Sequence, residues 1–479
     1  MAHLIDPTLR PPHYELDFAA ASQASDSVRA VPINGAPVSI EGRYRIGDNR
    51  IEQSFGLSLP PVSADLVDIA MSVYAADRVS PRRTPPRPDP YRLQWRRHLA
   101  LHVPVREPER WSQPHLSDAL CILLESMTDD RWSVDFVQRR VAPRYEQGYL
   151  FPTRPPRPVE VAPFSAGLDS LAGVATRLAS GPDLHVVTFA GGTNGRVVHR
   201  QRELIGALSR RFAPRVHPVE VPFGLIRDGQ PYPDGEPTQR SRGFVFFMLA
   251  AVVAEQAGAD AVTIHENGVG ALSLAYNRTQ LGARTTRATH PLALLRLGRL
   301  LAEAFGHPFR IHNPSLYETK AAMCARLADA GLAGLAARSV SCDTFSSCRV
   351  PTTLQCGLCT SCLLRRQSLH AAGLAPIDAE SGYRRDVTNP RDPLNERQLY
   401  DLHAMLDQVA DLRACTKAPS PWNALTRLDP TLEQVRLALA DAEGRTIEEV
   451  ADDLVALYRA YVREWDAFPY VSAPRKRAS

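Results

Sequence analysis

Residues 162–173 read APFSAGLDSLAG, and the way this stretch is read decides the fold. Upstream, Pro158 to Val161 (PVEV) runs into Ala162 with the short, β-branched look of a buried strand; downstream, Leu168, Leu171, Ala172, Ala175 and Leu178 recur at helical spacing. The stretch is therefore strand, tight loop, helix. That layout aims successive backbone N–H groups and a helix N-terminus at one spot, which is how folds hold phosphate. The plainer reading is that Ser165 or Asp169 only caps the helix and Gly167 only makes a turn. The loop alone does not choose between them.

Outward from this point the text becomes regular. Short β-rich runs at Val159 to Phe164, His185 to Phe189, Val216 to Val221, Ala261 to Ile264 and Phe309 to His312 alternate with helical runs near 168–180, 197–212, 241–257, 290–305 and 318–330. Such alternation predicts an α/β fold, a doubly wound parallel sheet with helices on both faces. Ligands in such sheets sit beyond the carboxyl ends of the strands, and SAGLDS follows the first strand. Residues 1–155 read as an N-terminal accessory α+β domain, with strand-like PVSIEGRYRI and RRHLALHVPV and a helix from Ser63 to Tyr74. The Pro-rich FPTRPPRP (Phe151 to Pro158) makes a linker. Residues 156–375 hold the sheet and the cysteine cluster, and 376–479 form a C-terminal helical region with helix patterns over Asn395 to Leu412 and Leu432 to Trp465.

At 479 residues the chain is too long for one ordinary core. Hydrophobic content of 44% and charged content of 23% are ordinary for a soluble globular protein, and a net charge of +4 does not indicate a nucleic-acid partner. MAHLIDPTLRPP has neither a basic lead nor an apolar signal core, and the longest apolar run, Phe244 to Ala254, is too short to span a bilayer. A cytoplasmic protein without a membrane partner is expected. Only three lysines occur (Lys320, Lys417 and Lys476), so a lysine inside a candidate site stands out against the arginine-rich background.

Residues 341–366 read SCDTFSSCRVPTTLQCGLCTSCLLRR. Cys356, Cys359 and Cys362 form C-x2-C-x2-C, with Cys342 or Cys348 upstream across a loop as the fourth ligand. Two tight x2 turns plus one distant cysteine supply the tetrahedral corners that Zn²⁺ needs. An iron–sulfur cluster is the rival, since it also takes four thiolates. With no open position implied, the zinc is expected to be structural.

The SAGLDS loop at the first strand–helix turn and the C-terminal C-x2-C-x2-C followed by Leu363, Leu364, Arg365 and Arg366 together resemble 7-cyano-7-deazaguanine synthase, a PP-loop ATP pyrophosphatase. The family's SGGxDS loop for ATP maps onto Ser165, Ala166, Gly167, Leu168, Asp169 and Ser170, with Ala166 standing where the family has glycine. ETKAAM, holding Lys320, resembles the family's TK-x-E segment, and His199 and Glu203 lie where the family has a similar pair. The resemblance covers residues 158–375; chains of this length look like the synthase-like proteins of bacterial anti-phage cassettes such as the Qat system or type IV CBASS.

The resemblance implies ATP, Mg²⁺ and Zn²⁺ as cofactors, and adenylation of a carboxylate such as that of 7-carboxy-7-deazaguanine. An amine, either ammonia or an amino group of a partner protein, then displaces AMP to give an amide or nitrile. Asp169, Ser170 and Lys320 are the catalytic candidates, with Asp169 set to hold Mg²⁺ or to cap its helix. Lys320 has the alternative of a solvent-facing helix position. Glu266 and Asn267 follow the fourth strand and, with Arg284, Arg287 and His290, are candidates for the substrate pocket, the arginines pairing with the carboxylate. Two other functions stand beside this one: another PP-loop chemistry on tRNA (thiolation or lysidine-type ligation), and a non-catalytic nucleotide-binding scaffold.

Overall fold

The computed structural model describes residues 13–18, 27–32, 40–82, 96–140, 152–192, 194–227, 230–232, 235–236, 238, 240–276, 287–343, 345, 354–392 and 394–470. The N-terminal stretch supplies strands β1 (His13–Asp17), β2 (Ser27–Pro32), β3 (Ile40–Ile46), β4 (His98–Val105) and β5 (Arg131–Gln138). Among them run helices α1 (Asn49–Phe55), α2 (Pro61–Val79), α3 (Pro108–Trp111) and α4 (Pro114–Thr128). Then follow β6 (Val159–Pro163), α5 (Leu168–Ser180), β7 (His185–Gly191), α6 (Gly195–Phe212), β8 (Val216–Val221), β9 (Phe223–Arg227) and β10 (Gln230–Pro231). The sheet is completed by α7 (Arg242–Ala257), β11 (Ala261–Thr263), α8 (Gly268–Leu272), α9 (Pro291–Phe305), β12 (Arg310–His312) and α10 (Lys320–Asp329). Last come α11 (Thr360–Ala371), α12 (Ala375–Glu380), α13 (Tyr400–Lys417), α14 (Pro421–Leu428), α15 (Thr431–Glu443) and α16 (Ile447–Asp466).

Five strands form a parallel sheet in the order β12-β11-β6-β7-β8. In chain order this is 5-4-1-2-3, so the winding reverses between β6 and β11, and loops leaving those two strands diverge over a crevice. Each expected strand and each helix between them is present. Burial on both faces explains the apolar runs: Val161 and Val187 face α7 and α9, while Ala162 and Val186 face α5 and α6. No helix among the described residues is long and apolar enough to cross a membrane.

A second, seven-stranded sheet has the order β10-β9-β3-β2-β1-β4-β5. Its β9 and β10 come from the middle of the chain. After β8 the backbone turns at Pro222, whose carbonyl accepts from the Gly47 N–H at 2.8 Å, and Phe223 pairs with Ile46 on β3. Phe223 stands edge-on to both Tyr74 of α2 and Phe246 of α7, so one apolar core runs from the N-terminal helices to the parallel sheet. Helix α2 is buried almost all round and yet carries Asp65, Asp68 and Asp77. Each has an arginine partner: Arg106 for Asp65, Arg106 and Arg139 for Asp68, and Arg97 for Asp77. The C-terminal helices pack around a core of their own that includes Leu316 and Leu363. The stretch 432–465 is two helices, because Gly444 ends α15 with φ +63° and Thr446 starts α16 with a reciprocal capping box to Glu449.

Asp130 is shared by two buried guanidinium groups, Arg97 Nη2 at 2.6 Å and Arg82 Nη2 at 2.7 Å. Asp130→Ala leaves both cations without that partner, and the expected loss is about 3–5 kcal/mol by urea unfolding. Glu220→Gln at the exposed pair with Arg202 should cost under about 1 kcal/mol in the same measurement.

Candidate functional site

At the carboxyl end of β6 the loop folds over its own hydroxyls. Ser165 Oγ lies 3.2 Å from Ser170 Oγ and accepts from the Gly167 N–H at 3.2 Å, while the Ser170 hydroxyl donates to the Gly167 carbonyl at 3.1 Å. Ala166 is buried in the left-handed region at φ +62°, and its carbonyl accepts from the Val340 N–H at 2.8 Å. A methyl-bearing residue pays roughly 1 kcal/mol for that conformation, which glycine would adopt freely. No side chain caps α5, so its first N–H groups stay available at the loop.

Asp169, in the first turn of α5, does not act as its cap. Its Oδ2 accepts from Lys320 Nζ at 2.7 Å and from Asn267 Nδ2 at 2.9 Å. Asn267 also donates to Glu266 Oε1 at 3.0 Å, and its own Oδ1 caps α8 by accepting from the Gly270 N–H at 2.9 Å. Asn313, after β12, fixes Glu266 by donating to its carbonyl at 2.9 Å and accepting from its N–H at 3.3 Å. Burial opposes ionisation of Asp169, but the Lys320 ammonium together with the hydrogen bonds from Glu266, Lys320 and Asn267 outweighs it, and the carboxyl ends below its ordinary range. Burial likewise opposes the Lys320 charge, and Asp169 and Glu266 override it, raising the ammonium pKa. Glu266 goes the other way: burial and then the neighbouring Asp169 charge push it well above the ordinary carboxylate value. Lys320 is thus a buried member of the site, not a solvent-facing lysine.

Of these groups Glu266 borders a cavity of about 530 Å³, which is lined beside it by Ser165, Ser170 and His265. The facing wall is Thr238, Arg242, Phe246 and Phe247 at the start of α7, and the rim is Val340 to Asp343. Arg242 lies 5.5 Å over the Phe246 ring and has no carboxylate within ion-pair distance among the described residues. Burial lowers its pKa. A partly buried guanidinium without a counter-ion, facing a cavity, is suited to an anionic ligand.

Of the substrate candidates, Glu266 lines the cavity and Asn267 lies behind it, bridging Glu266 to Asp169. Arg287 does not line it; the side chain is about half exposed and lies 3.9 Å from Asp129. His290 precedes α9, also outside the lining, and burial followed by Arg287 lowers its pKa to about 4. Arg284 lies outside the described residues. His199 is exposed, and Glu203 pairs with Arg200 at 2.6 Å; the residues that α6 turns to the cavity are Val197 and Gln201. Arg242 and Gln201 carried no sequence signal of their own, since arginine is common in this chain and a lone glutamine on a helix is unremarkable.

The Sγ atoms of Cys342, Cys356, Cys359 and Cys362 lie within 4.8 Å of one another; Cys348 is outside the described residues. The Leu358 and Cys359 N–H groups point at Cys356 Sγ at 3.4 and 3.3 Å, and the Cys356 N–H at Cys342 Sγ at 3.3 Å. Amide donors of this kind favour thiolate over thiol. Gly357 makes the knuckle at φ +82°, where a Cβ would fall 2.0 Å from the Arg385 carbonyl oxygen. The four-sulfur set fits zinc.

No protein-family model matches the chain, and no curated protein matches it either, so the reading of the site rests on its own geometry.

Two outcomes follow from this geometry. Glu266 binds its proton more tightly in the folded protein than in the unfolded chain, so its contribution to stability is fully present below about pH 4 and is lost as pH rises towards its raised folded value. Glu266→Gln, isosteric with the protonated acid, should therefore be more stable than wild type at pH 8, with the gap closing towards pH 4 in urea titrations. At the cysteine cluster, a thiol-modifying reagent should release about one zinc per chain, and Cys362→Ser should lower both the zinc content and the thermal midpoint.

Proposed function

We propose that this protein is an ATP-dependent enzyme of the PP-loop type that adenylates a carboxylate and transfers the acyl group to an amine. One observation carries the reading. The uncapped SAGLDS loop and the Glu266–Asn267 pair leave the two strands at which the sheet reverses, and behind the Ser170 and Glu266 side of the cavity a buried lysine pairs with the loop's own aspartate. Phosphate held over a helix N-terminus with a lysine beside it is the arrangement that phosphoryl chemistry needs.

In this reading the Ser165 and Ser170 hydroxyls and the free N–H groups of α5 hold the triphosphate, and Lys320 offsets charge developing on the pyrophosphate as the bond to the α-phosphorus breaks. A carboxylate oxygen of the acid substrate makes the new bond, giving an acyl-adenylate. The amine then attacks the acyl carbon, and AMP leaves with the electron pair of the broken C–O bond. Asp169 Oδ1 is buried with no hydrogen-bond partner among the described residues, and Asn267 Nδ2 links Asp169 to the Glu266 carboxyl by donating to both. That carboxyl pair fits the Mg²⁺ of the nucleotide, which would neutralise phosphate charge there.

The wall of Phe246, Phe247 and Arg242 suits a planar acid such as 7-carboxy-7-deazaguanine, with Arg242 in the pairing role first considered for Arg284 and Arg287. The acceptor is either ammonia or an amino group on a partner protein, which the segments added around the sheet could dock. A scaffold that binds nucleotide without turnover draws support from the strained Ala166, whose methyl crowds the loop.

Purified protein with ATP, Mg²⁺ and 7-carboxy-7-deazaguanine should release AMP and pyrophosphate in a substrate-dependent way. Asp169→Asn and Lys320→Met should each lower the rate at least about a hundredfold. Arg242→Met should mainly raise the KM for the acid. ATP binding without AMP release, in folded zinc-replete protein offered a range of acids and amines, would replace the enzyme with the scaffold.

A further inference from the structure

The C-terminal helices lie beyond the part of the chain that reads as a nucleotide fold, yet α16 reaches the site. We propose that Glu464 on α16 is a positioning residue for Lys320. It holds the Thr319 hydroxyl in one orientation, which fixes the first turn of α10 and, with it, the ammonium beside the phosphate loop. The inference rests on the reading of Lys320 as the group that meets the transferred phosphate.

Thr319 is the N-cap of α10 and Lys320 its first residue. The Thr319 hydroxyl donates its single proton to Glu464 Oε1 at 2.6 Å, and the same oxygen accepts from the Ala322 N–H at 3.1 Å. A hydroxyl has one proton and two lone pairs. With the proton committed to the carboxylate, a lone pair is left facing the helix N–H, and the cap has one geometry. Without Glu464 the rotor is free to seek another acceptor, and a loosened cap would let the first turn of α10 shift. Lys320 Nζ sits 2.7 Å from Asp169 at the far end of that turn, so a shift there moves the ammonium relative to the loop.

The other Glu464 oxygen meets Gln367 Nε2 of α11 at 3.5 Å, and α11 carries Cys362 in its first turn. Helix α16 is also seated on the opposite side of the site. The Gly268 N–H donates to the Glu318 carbonyl at 2.8 Å, and a Cβ at Gly268 would fall 1.9 Å from the Leu316 carbonyl oxygen and 2.6 Å from Leu457 Cδ2. The segment after Asn267, the segment before Lys320 and helix α16 are therefore interlocked at backbone distance. Burial raises the Glu464 pKa, and the hydrogen bonds from Thr319 and Gln367 offset only part of that rise.

The chain has three lysines, so protein labelled with ¹³C at lysine Cε gives three resonances, and Lys320→Met assigns one of them. In wild type the Lys320 signal should titrate above the ordinary lysine value. Glu464→Ala should move it towards the Lys417 signal and lower its titration midpoint. Glu464→Gln, whose amide oxygen still accepts the Thr319 proton, should keep it near the wild-type position. Thr319→Val should copy Glu464→Ala, and Thr319→Ser should restore the signal. In the AMP assay Glu464→Ala should lower kcat roughly tenfold with little change in the KM for ATP, and should cost nothing more in the Lys320→Met background.

An unchanged Lys320 signal in a folded, zinc-replete Glu464→Ala protein overturns the proposal, as does a further loss of rate in the Lys320→Met background. If Glu464→Ala does not fold, the Thr319→Val and Thr319→Ser pair decides by the same signal. Should wild type release no AMP with any acid, the enzymatic reading fails by itself, and the lysine resonance still tells whether Glu464 positions Lys320.

Discussion

Asp169 and Lys320 form an ion pair 2.7 Å across in a place that water hardly reaches. Two charges withdrawn from solvent are tolerated only when geometry and extra hydrogen bonds repay the lost hydration. Here the repayment comes from separate parts of the chain: Asp169 from the first turn after β6, Lys320 from the helix after β12, and Asn267 from the loop after β11. None of these partners is local to another, so the pair exists only when the crossovers of the parallel sheet have all docked. The interaction that closes the fold lies behind the Ser170 and Glu266 side of the cavity, and the same desolvation that opposes both charges of the pair drives Glu266 towards its protonated form.

The parallel sheet was legible because burial on both faces writes itself as apolar runs between helical periods. The loop was legible as strand, turn and helix, although not in its strain. Ala166 looked like the mildest departure from glycine, yet at φ +62° its Cβ is what makes the position costly. Lys320 was half-legible: its rarity marked it, while its burial depended on an aspartate 151 positions away in sequence. The division of 432–465 was written in Gly444 and in the T-x-x-E of Thr446 to Glu449, both local signals that a longer apolar period had masked.

What escaped the sequence is what depends on contact between distant segments. Strand β9 follows β8 after Pro222 alone, and it belongs to the N-terminal sheet because Pro222 turns the chain out of the parallel one. Arg242 was one arginine among many until the fold left it facing a cavity with no carboxylate within ion-pair distance of it among the described residues. Arg287 and His290 sat at plausible places in the text, but the loop lines the cavity with Thr289, while Arg287 lies near Asp129 and His290 at the start of α9. An arginine-rich sequence hides its functional arginines, because frequency removes the contrast that made a single lysine visible.

The two walls of the cavity are held from different directions. Asp77 Oδ2, in the buried helix α2, accepts from both the N–H and the hydroxyl of Ser241 at 3.0 and 2.8 Å, and Ser241 is the residue before Arg242. Its other oxygen is engaged by Arg97, which is held in turn by Asp130. The aromatic and cationic wall is thus anchored in the N-terminal sheet, while the lysine side is braced by α16 through Thr319 and Glu464. A parallel sheet alone offers a loop over a helix N-terminus, which is enough to hold phosphate and says little about what else enters. The groups that would distinguish one planar acid from another, Arg242, Phe246 and Phe247, stand where the N-terminal segment fixes them. On the proposed reading, selectivity in this cavity would be a property of the segments added around the sheet, and changes in those buried anchors would act on ligand choice without touching the SAGLDS loop.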